Sequence, residues 1–279
     1  MFYDTHTHTN FSHDSKQDPE GSCITAIEKG LRGIAFTDHA DMWYYNERKT
    51  LDHIIASTDA ATVFSEKYRG KLKVFRGIEV ADAYFDPSVT TELVARIKPD
   101  IVIGSIHCLS YAGLEDAYSQ MDFSESVMSR ERLVGLMDRY FALVTEMAEG
   151  HDFDVLAHLT CPFRYVNGKY GRGLTDEEFE KPIKYILDVV IRRKIALEVN
   201  TSGLGTALNA TMPSETVIRW YRELGGELVT LGSDAHSADR LANGFAETRD
   251  MLIRNGFDRA VYYENRERKN YALNDIMGE

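Results

Sequence analysis

The chain has 279 residues, 43% of them hydrophobic and 27% charged, with a formal net charge of −12. That acidity, with no basic run, argues against nucleic acid and anionic membrane surfaces as partners, so an anionic substrate would need a local source of positive charge. The start, MFYDTHTH, has no charged n-region or apolar h-region, and no apolar run approaches the roughly 18 residues of a membrane-spanning helix. A cytoplasmic protein is expected. Its three cysteines, Cys23, Cys108 and Cys161, are odd in number and widely spaced. They read as small buried residues rather than a disulfide framework or thiolate ligands.

In chain order, short apolar runs recur at residues 2–5, 33–37, 73–78, 100–105, 154–157, 195–199 and 227–231. Most are continuous rather than alternating, as strands buried on both faces should be. Helical patterns lie between them. Residues 50–68 carry Leu51, Ile54, Ile55, Val63 and Phe64, and residues 126–149 carry Leu133, Leu136, Met137, Tyr140, Val144 and Met147. Thr175 and Glu178 form a capping box ahead of Phe179, Ile183, Ile186, Leu187 and Val190. A further helix starts at Pro213 and stops at Gly225–Gly226. No linker, repeat or low-complexity tract interrupts the series, so residues 1–279 read as one domain. Serial β/α units imply a parallel sheet with helices outside. With seven strands, either a barrel or an open doubly wound sheet is possible.

The placement of ligand-type residues favours the barrel. His6 and His8 end strand one, Asp38 and His39 strand two, Glu79 strand three, His107 strand four, His158 strand five, and Asp234 and His236 strand seven. In a β/α barrel those ends form one face, where active sites are built. Side chains at i and i+2 share one side of a strand, so His6 and His8 can grip one ion and Asp234 and His236 can bracket a site. Of the nine histidines, His53 falls in a helix and His151 in a turn. His13, beside Asp14, is a weaker ligand candidate. Nitrogen and oxygen donors without thiolate suit Zn, Mn, Fe or Co, and about nine such donors match three ions.

In order, the segments HTH, TDH, GIE, SIH, AHL and GSDAH, joined by EVNTSGL at residues 198–204, resemble the polymerase-and-histidinol-phosphatase (PHP) family. With the length, they are most similar to its monofunctional histidinol-phosphatase branch. The resemblance implies a distorted (β/α)7 barrel, TIM-like, with the site at the C-terminal ends of the strands. It also implies three divalent metal ions (Zn, Mn or Fe). His6, His8, Glu79 and Asp234 would hold the first. Glu79, His107 and His158 would hold the second, with Glu79 bridging, and Asp14, His39 and His236 the third. The implied reaction hydrolyses L-histidinol phosphate in histidine biosynthesis, through a water shared by two metals, with Glu79, Asp234 and His236 as catalytic residues. Three ions bring about +6 against about −3 from Asp14, Glu79 and Asp234, which supplies the missing local positive charge.

Phosphate would also be clamped by Arg164, in the loop after His158, and by Arg240. Lys169 and Arg172, in the loop NGKYGRG, could close over a ligand. Trp43, in DMWYYN, could wall an imidazole-sized group or simply pack. Asn200 and Ser202 at the end of strand six could bind polar substrate groups. One departure stands out. Members of the branch often carry arginine directly after NTSGL, whereas this chain has Gly205. Another small phosphate ester or a phosphodiester is therefore the alternative substrate class. An amidohydrolase would commonly place a carboxylated lysine where strand four here gives His107. An inert polymerase module would be expected to lose ligands that are all present here. The sequence assigns no oligomeric state.

Overall fold

The computed structural model describes residues 2–274. In chain order its main elements are β1 (Tyr3–Thr7), α1 (Pro19–Glu28), β2 (Gly33–Phe36), β3 (His39–Asp41), α2 (Thr50–Lys67), β4 (Lys73–Ala81), α3 (Pro87–Ile97), β5 (Ile101–Ser105), β6 (Cys108–Tyr111) and β7 (Leu114–Ala117). They continue with α4 (Arg130–Gly150), β8 (Val155–Leu156), α5 (Glu180–Arg193), β9 (Ala196–Asn200), α6 (Glu215–Glu223), β10 (Val229–Gly232), α7 (Phe245–Arg254), β11 (Arg259–Glu264) and β12 (Glu267–Ala272).

The main sheet runs β1-β2-β4-β5-β8-β9-β10 and is parallel throughout. β3 pairs with β4 beyond β2, His39 opposite Glu79, so β2 and β3 are two segments of one barrel position. The first and last positions meet. His8 N donates to Ala235 O at 2.9 Å and Asp234 N to His6 O at 2.8 Å. The buried Asp4 carboxylate secures this seam, accepting Ser233 N at 2.9 Å and Ser233 Oγ at 2.6 Å. The result is the nearly closed seven-strand barrel that the sequence anticipates. β2, β5, β9 and β10 are buried at every residue, because helices cover one face and barrel packing fills the other. Where Gly232 ends β10, a β-carbon would stand 2.0 Å from Glu198 Oε1, so glycine alone leaves room for that carboxylate.

Helix ends follow local chemistry. Asp18 caps α1 and Asp86 caps α3, each followed by proline in the first turn, and Ser129 caps α4. The Thr175–Glu178 capping box forms on a 3-10 turn, Asp176–Phe179, that runs into α5. Pro213 lies outside α6, whose N-cap is Ser214.

Two hairpins fall outside the predicted strands. β11–β12 lies at the N-terminal end of the barrel, where Tyr262 stacks on Tyr3 at 3.9 Å and Arg266 N bonds Asp100 O. β6–β7 follows His107 at the opposite end. Arg132 bonds Ala112 O in its tip, and Tyr111 packs against Gly135 of α4. Among the described residues, no helix is long and apolar enough to cross a membrane.

Candidate active site

At the C-terminal ends of the strands lies a cavity of about 550 Å³. His6 and His8, both fully buried, point their Nε2 atoms at each other across 3.1 Å. Glu79 Oε2 is 3.4 Å from His6 Nε2 and 3.5 Å from His8 Nε2, and Asp234 Oδ1 is 3.7 Å and 3.2 Å from the same two atoms. Four donors bound at about 2.1 Å in a tetrahedron stand about 3.4 Å apart. These separations therefore fit a divalent ion. The other oxygen of Glu79, Oε1, lies 3.2 Å from His107 Nε2 and 2.9 Å from His158 Nε2. Asp14 spans a third group, 3.5 Å from His39 Nε2 and 3.2 Å from His236 Nε2. His39 also presents Nδ1 to Glu79 Oε2 at 2.9 Å. Ligand-type trios recur across the cluster, including His6–His8–Asp234 and His39–Glu79–His107.

Two of these atoms lack ordinary partners: Glu79 Oε2 and His39 Nδ1, 2.9 Å apart, are buried without a hydrogen bond among the described residues, a state natural for atoms gathered around a cation. Two of the donors hold left-handed backbone: His158 has φ +22° and Asp234 φ +52°.

Outer hydrogen bonds decide which nitrogen faces the centre. Ser12 Oγ donates to Asp38 Oδ1 at 2.7 Å and lies 3.0 Å from His8 Nδ1. A hydroxyl has one proton, and a carboxylate only accepts, so His8 Nδ1 carries hydrogen and Nε2 is bare. His6 Nδ1 lies 2.7 Å from Glu198 Oε1, with the same consequence. His236 Nδ1 is 3.0 Å from Asp234 O, leaving Nε2 toward Asp14. Asp38, next to His39 in sequence, is not at the centre. It takes Thr9 N, Thr9 Oγ1, Ser12 Oγ and Ser57 Oγ and thereby fixes the loop after β1.

Electrostatics agree. Burial disfavours charge on Glu79, yet His107, His6 and His39 hold its carboxyl well below the usual range, and His6 and His8 help do the same for Asp234. Burial works against protonation of His6, but Glu198, Glu79 and Asp234 raise it well above its ordinary value. His8 goes the other way, to about 4, because repulsion from His39 and His236 adds to burial.

The cavity wall holds residues the sequence did not single out. Asp41 sits 3.3 Å from His107 Nδ1 and pairs with Arg48, which also stacks on Tyr44. Despite burial, His39, His107 and Arg48 lower Asp41 to about 2. Tyr44, Arg48, Tyr118 and Tyr165 line the cavity with Arg164. Arg164 is half-buried, and its Nη1 donates to Ser202 Oγ at 3.2 Å. His13 lies at the rim, 3.2 Å from Arg48.

The remaining predicted contacts lie elsewhere. Trp43 packs on Phe85 at 4.9 Å, and its neighbour Tyr44 faces the cavity instead. Asn200 is fully buried and bonds Glu198 and Asp234, while Ser202 Oγ bonds Asn200 and approaches Asp234 Oδ2 at 3.2 Å. Both orient protein groups beneath the cavity floor. Arg240 donates to the carbonyls of Leu204 and Ser202, Lys169 lies over Tyr170, and Arg172 bonds Phe123 O. Cys108 and Cys161 line the cavity as buried thiols, Cys161 pushed up to about 12 chiefly by burial. His53 is on α2, and His151 ends α4.

A barrel whose strand ends gather histidine and carboxylate donors at ligand spacing, in a cavity lined also by Arg48 and Arg164, defines a metal-dependent hydrolase. The PHP domain family matches residues 4–202, and the chain belongs to it. A probable histidinol-phosphatase of Clostridium acetobutylicum is 30% identical over 269 residues, 95% of this chain and 98% of its own. Another, of Deinococcus radiodurans, is 30% identical over 259 residues, 89% and 93% of the two chains. The crystal structure of histidinol phosphate phosphatase from Lactococcus lactis subsp. lactis, complexed with zinc, L-histidinol and phosphate, superposes with a TM-score of 0.77. It is 20% identical and covers 96% of this chain and 98% of its own.

Proposed function

We propose that this chain is a phosphomonoesterase that hydrolyses L-histidinol phosphate to L-histidinol and phosphate, in the cytoplasm and as a single-domain enzyme. The observation that carries the reading is Glu79, whose two oxygens face separate histidine groups, with Asp14, His39 and His236 alongside. His6, His8, Glu79 and Asp234 would hold one ion, Glu79, His107 and His158 a second, and Asp14, His39 and His236 a third. The relatives' names support the substrate, and the donor chemistry supports Zn, Mn or Fe.

When bound, divalent ions supply positive charge against phosphoryl oxygens and acidify the water beside them. The protein's groups do the rest. Arg164 donates to a phosphate oxygen and orients the ester. Asp234, held by Ser202 and Asn200, keeps its carboxylate beside the attacking water and receives hydrogen bonds from it. Attack forms a P–O bond to the water oxygen and breaks the ester P–O bond; the proton the water gives up balances the one the leaving alcohol oxygen takes up. Tyr44, Tyr118 and Tyr165 exclude bulk water and wall the organic part of the substrate.

The glycine after NTSGL favours a second reading, hydrolysis of another small phosphate ester by the same machinery. Phosphate release by metal-loaded protein separates the two. A kcat/KM of at least about 10⁴ M⁻¹s⁻¹ on L-histidinol phosphate, far above that on an aryl phosphate, supports the first. Slow turnover of both sends the search to other phosphate esters.

A further inference from the structure

β9 is the one barrel position that contributes no residue to the three donor groups, yet it carries Glu198, a carboxylate with no solvent exposure. Its Oε1 is 2.7 Å from His6 Nδ1. Its Oε2 accepts the backbone N–H of His158 at 2.7 Å and the Asn200 side-chain amide at 3.1 Å. His6 and His158 belong to different donor groups, and their Nε2 atoms reach opposite oxygens of Glu79. His158 also holds a left-handed backbone, φ +22°, which needs external support in a residue with a β-carbon. Space for the carboxylate exists only because position 232 is glycine.

We infer that Glu198 is a positioning residue that prepares two metal positions at once, fixing the His6 ring with Nε2 bare and holding the His158 backbone so that its ring reaches Glu79. The inference rests on the metal-dependent reading above. It requires both oxygens to be acceptors, because both face N–H groups. Glutamine, nearly isosteric, offers one acceptor and one donor. If its oxygen serves His158 N and Asn200, its amide faces His6 Nδ1. That nitrogen must then be bare, and the His6 hydrogen moves to Nε2, the atom that faces the metal. The reversed amide sets donor against donor at His158.

The test is zinc titration of wild type, Glu198→Gln and Glu198→Asp, with Tm measured in chelator and imidazole N–H resonances recorded on ¹⁵N-histidine-labelled, zinc-loaded protein. Loss of a carboxylate that orients a metal-bound histidine costs about 10- to 100-fold in affinity. For Glu198→Gln we expect a loss of that size at two positions, a cooperative metal-free transition at lower Tm because the charge paired with buried His6 is gone, and loss of the His6 Nδ1–H signal. Glu198→Asp keeps two acceptors and should restore the signal. If Glu198→Gln does not fold, Glu198→Asp carries the test through zinc affinity: one methylene shorter, its carboxylate cannot reach both His6 Nδ1 and His158 N, so affinity within twofold of wild type at both positions overturns the inference. Zinc affinity within twofold of wild type in Glu198→Gln, or a retained Nδ1–H signal, overturns the inference. A wild-type protein that binds no divalent ion overturns the metal reading instead.

Discussion

The guanidinium of Arg240 lies against Gly205: its Nη1 is 3.6 Å from where a β-carbon on that glycine would stand, and its Nη2 bonds Leu204 O at 2.9 Å. Gly205 adopts φ +72°, a conformation that favours glycine. The arginine thus braces the loop that carries Ser202 rather than reaching into the cavity. Arg240→Ala should loosen that loop, raising KM several-fold while metal content stays at the wild-type value. Steady-state kinetics with metal analysis checks this. A loss of bound metal would place Arg240 in the metal machinery.

Among the described residues, two arginines line the cavity, and Arg164, unlike Arg48, is not paired with a carboxylate; its position depends on Ser202. A charged hydrogen bond contributes about 1.5–3 kcal/mol, so Arg164→Ala should lower kcat/KM by roughly 10- to 150-fold, mostly through KM. Arg164→Lys should recover only part, because a lysine cannot make a two-pronged contact. Unchanged kinetics in both variants would move phosphate recognition to Arg48.

Glu79→Gln removes the shared charge of two donor groups. An amide bridges two cations poorly, so activity should fall at least about 10³-fold, and bound metal per chain should drop. The check is turnover under saturating metal together with metal analysis of the purified variant. Near-wild-type turnover with full metal content would mean that Glu79 does not bridge.

Acid–base behaviour of the metal-free protein follows from its charge cluster. Against burial, which disfavours charge, neighbouring carboxylates raise His6, His39 and His107 well above 6.5. Their stabilisation is complete below about pH 6.5 and is lost as pH rises through the folded values. Glu79 and Asp234, likewise buried, are held well below 4.5 and 3.8 by the same histidines. Their contribution is complete above about pH 4.5 and is lost on acidification. These five groups together therefore contribute most to the metal-free protein between about pH 4.5 and 6.5. Metal-loaded protein should keep gaining stability as pH rises above 6.5, because its ligands bind deprotonated. Tm against pH, with chelator and with zinc, tests both. A metal-free Tm that still rises from pH 6.5 to 8.5 would refute the charge assignment.

The barrel was legible because its strands are apolar on both faces and end in histidine or acid. β7 and β12 were not, because polar residues such as Glu115, Asp116, Arg268 and Lys269 face solvent there and leave no apolar run; their partners β6 and β11 carry only short apolar stretches, AVYY in β11, with no helix pattern following. α1 and α3 carried the Asp-Pro start signal in Asp18–Pro19 and Asp86–Pro87, but their apolar stripes are too short to show. The candidate donors other than Asp14 could be named from strand ends; Asp14, in the loop after β1, came only with the resemblance to the family. Their supports could not. Ser12 and Asp38 act through a loop, and Trp43 and Tyr44 are adjacent, so which one faces the cavity depends on a 3-10 turn. Glu198 did leave a signal, a charged residue amid ALEVN two positions before Asn200.

The barrel seam has a consequence for synthesis on the ribosome. His6 and His8 are made well before Ser233, Asp234 and Ala235, which complete their strand and whose backbone locks onto Asp4, His6 and His8. Until those residues are made, the opening histidines have no neighbour on that side. Ions held by a growing chain would meet a half-built ring of donors. The candidate donors of the two seam strands reach ligand spacing only when Ser233, Asp234 and Ala235 have closed onto β1.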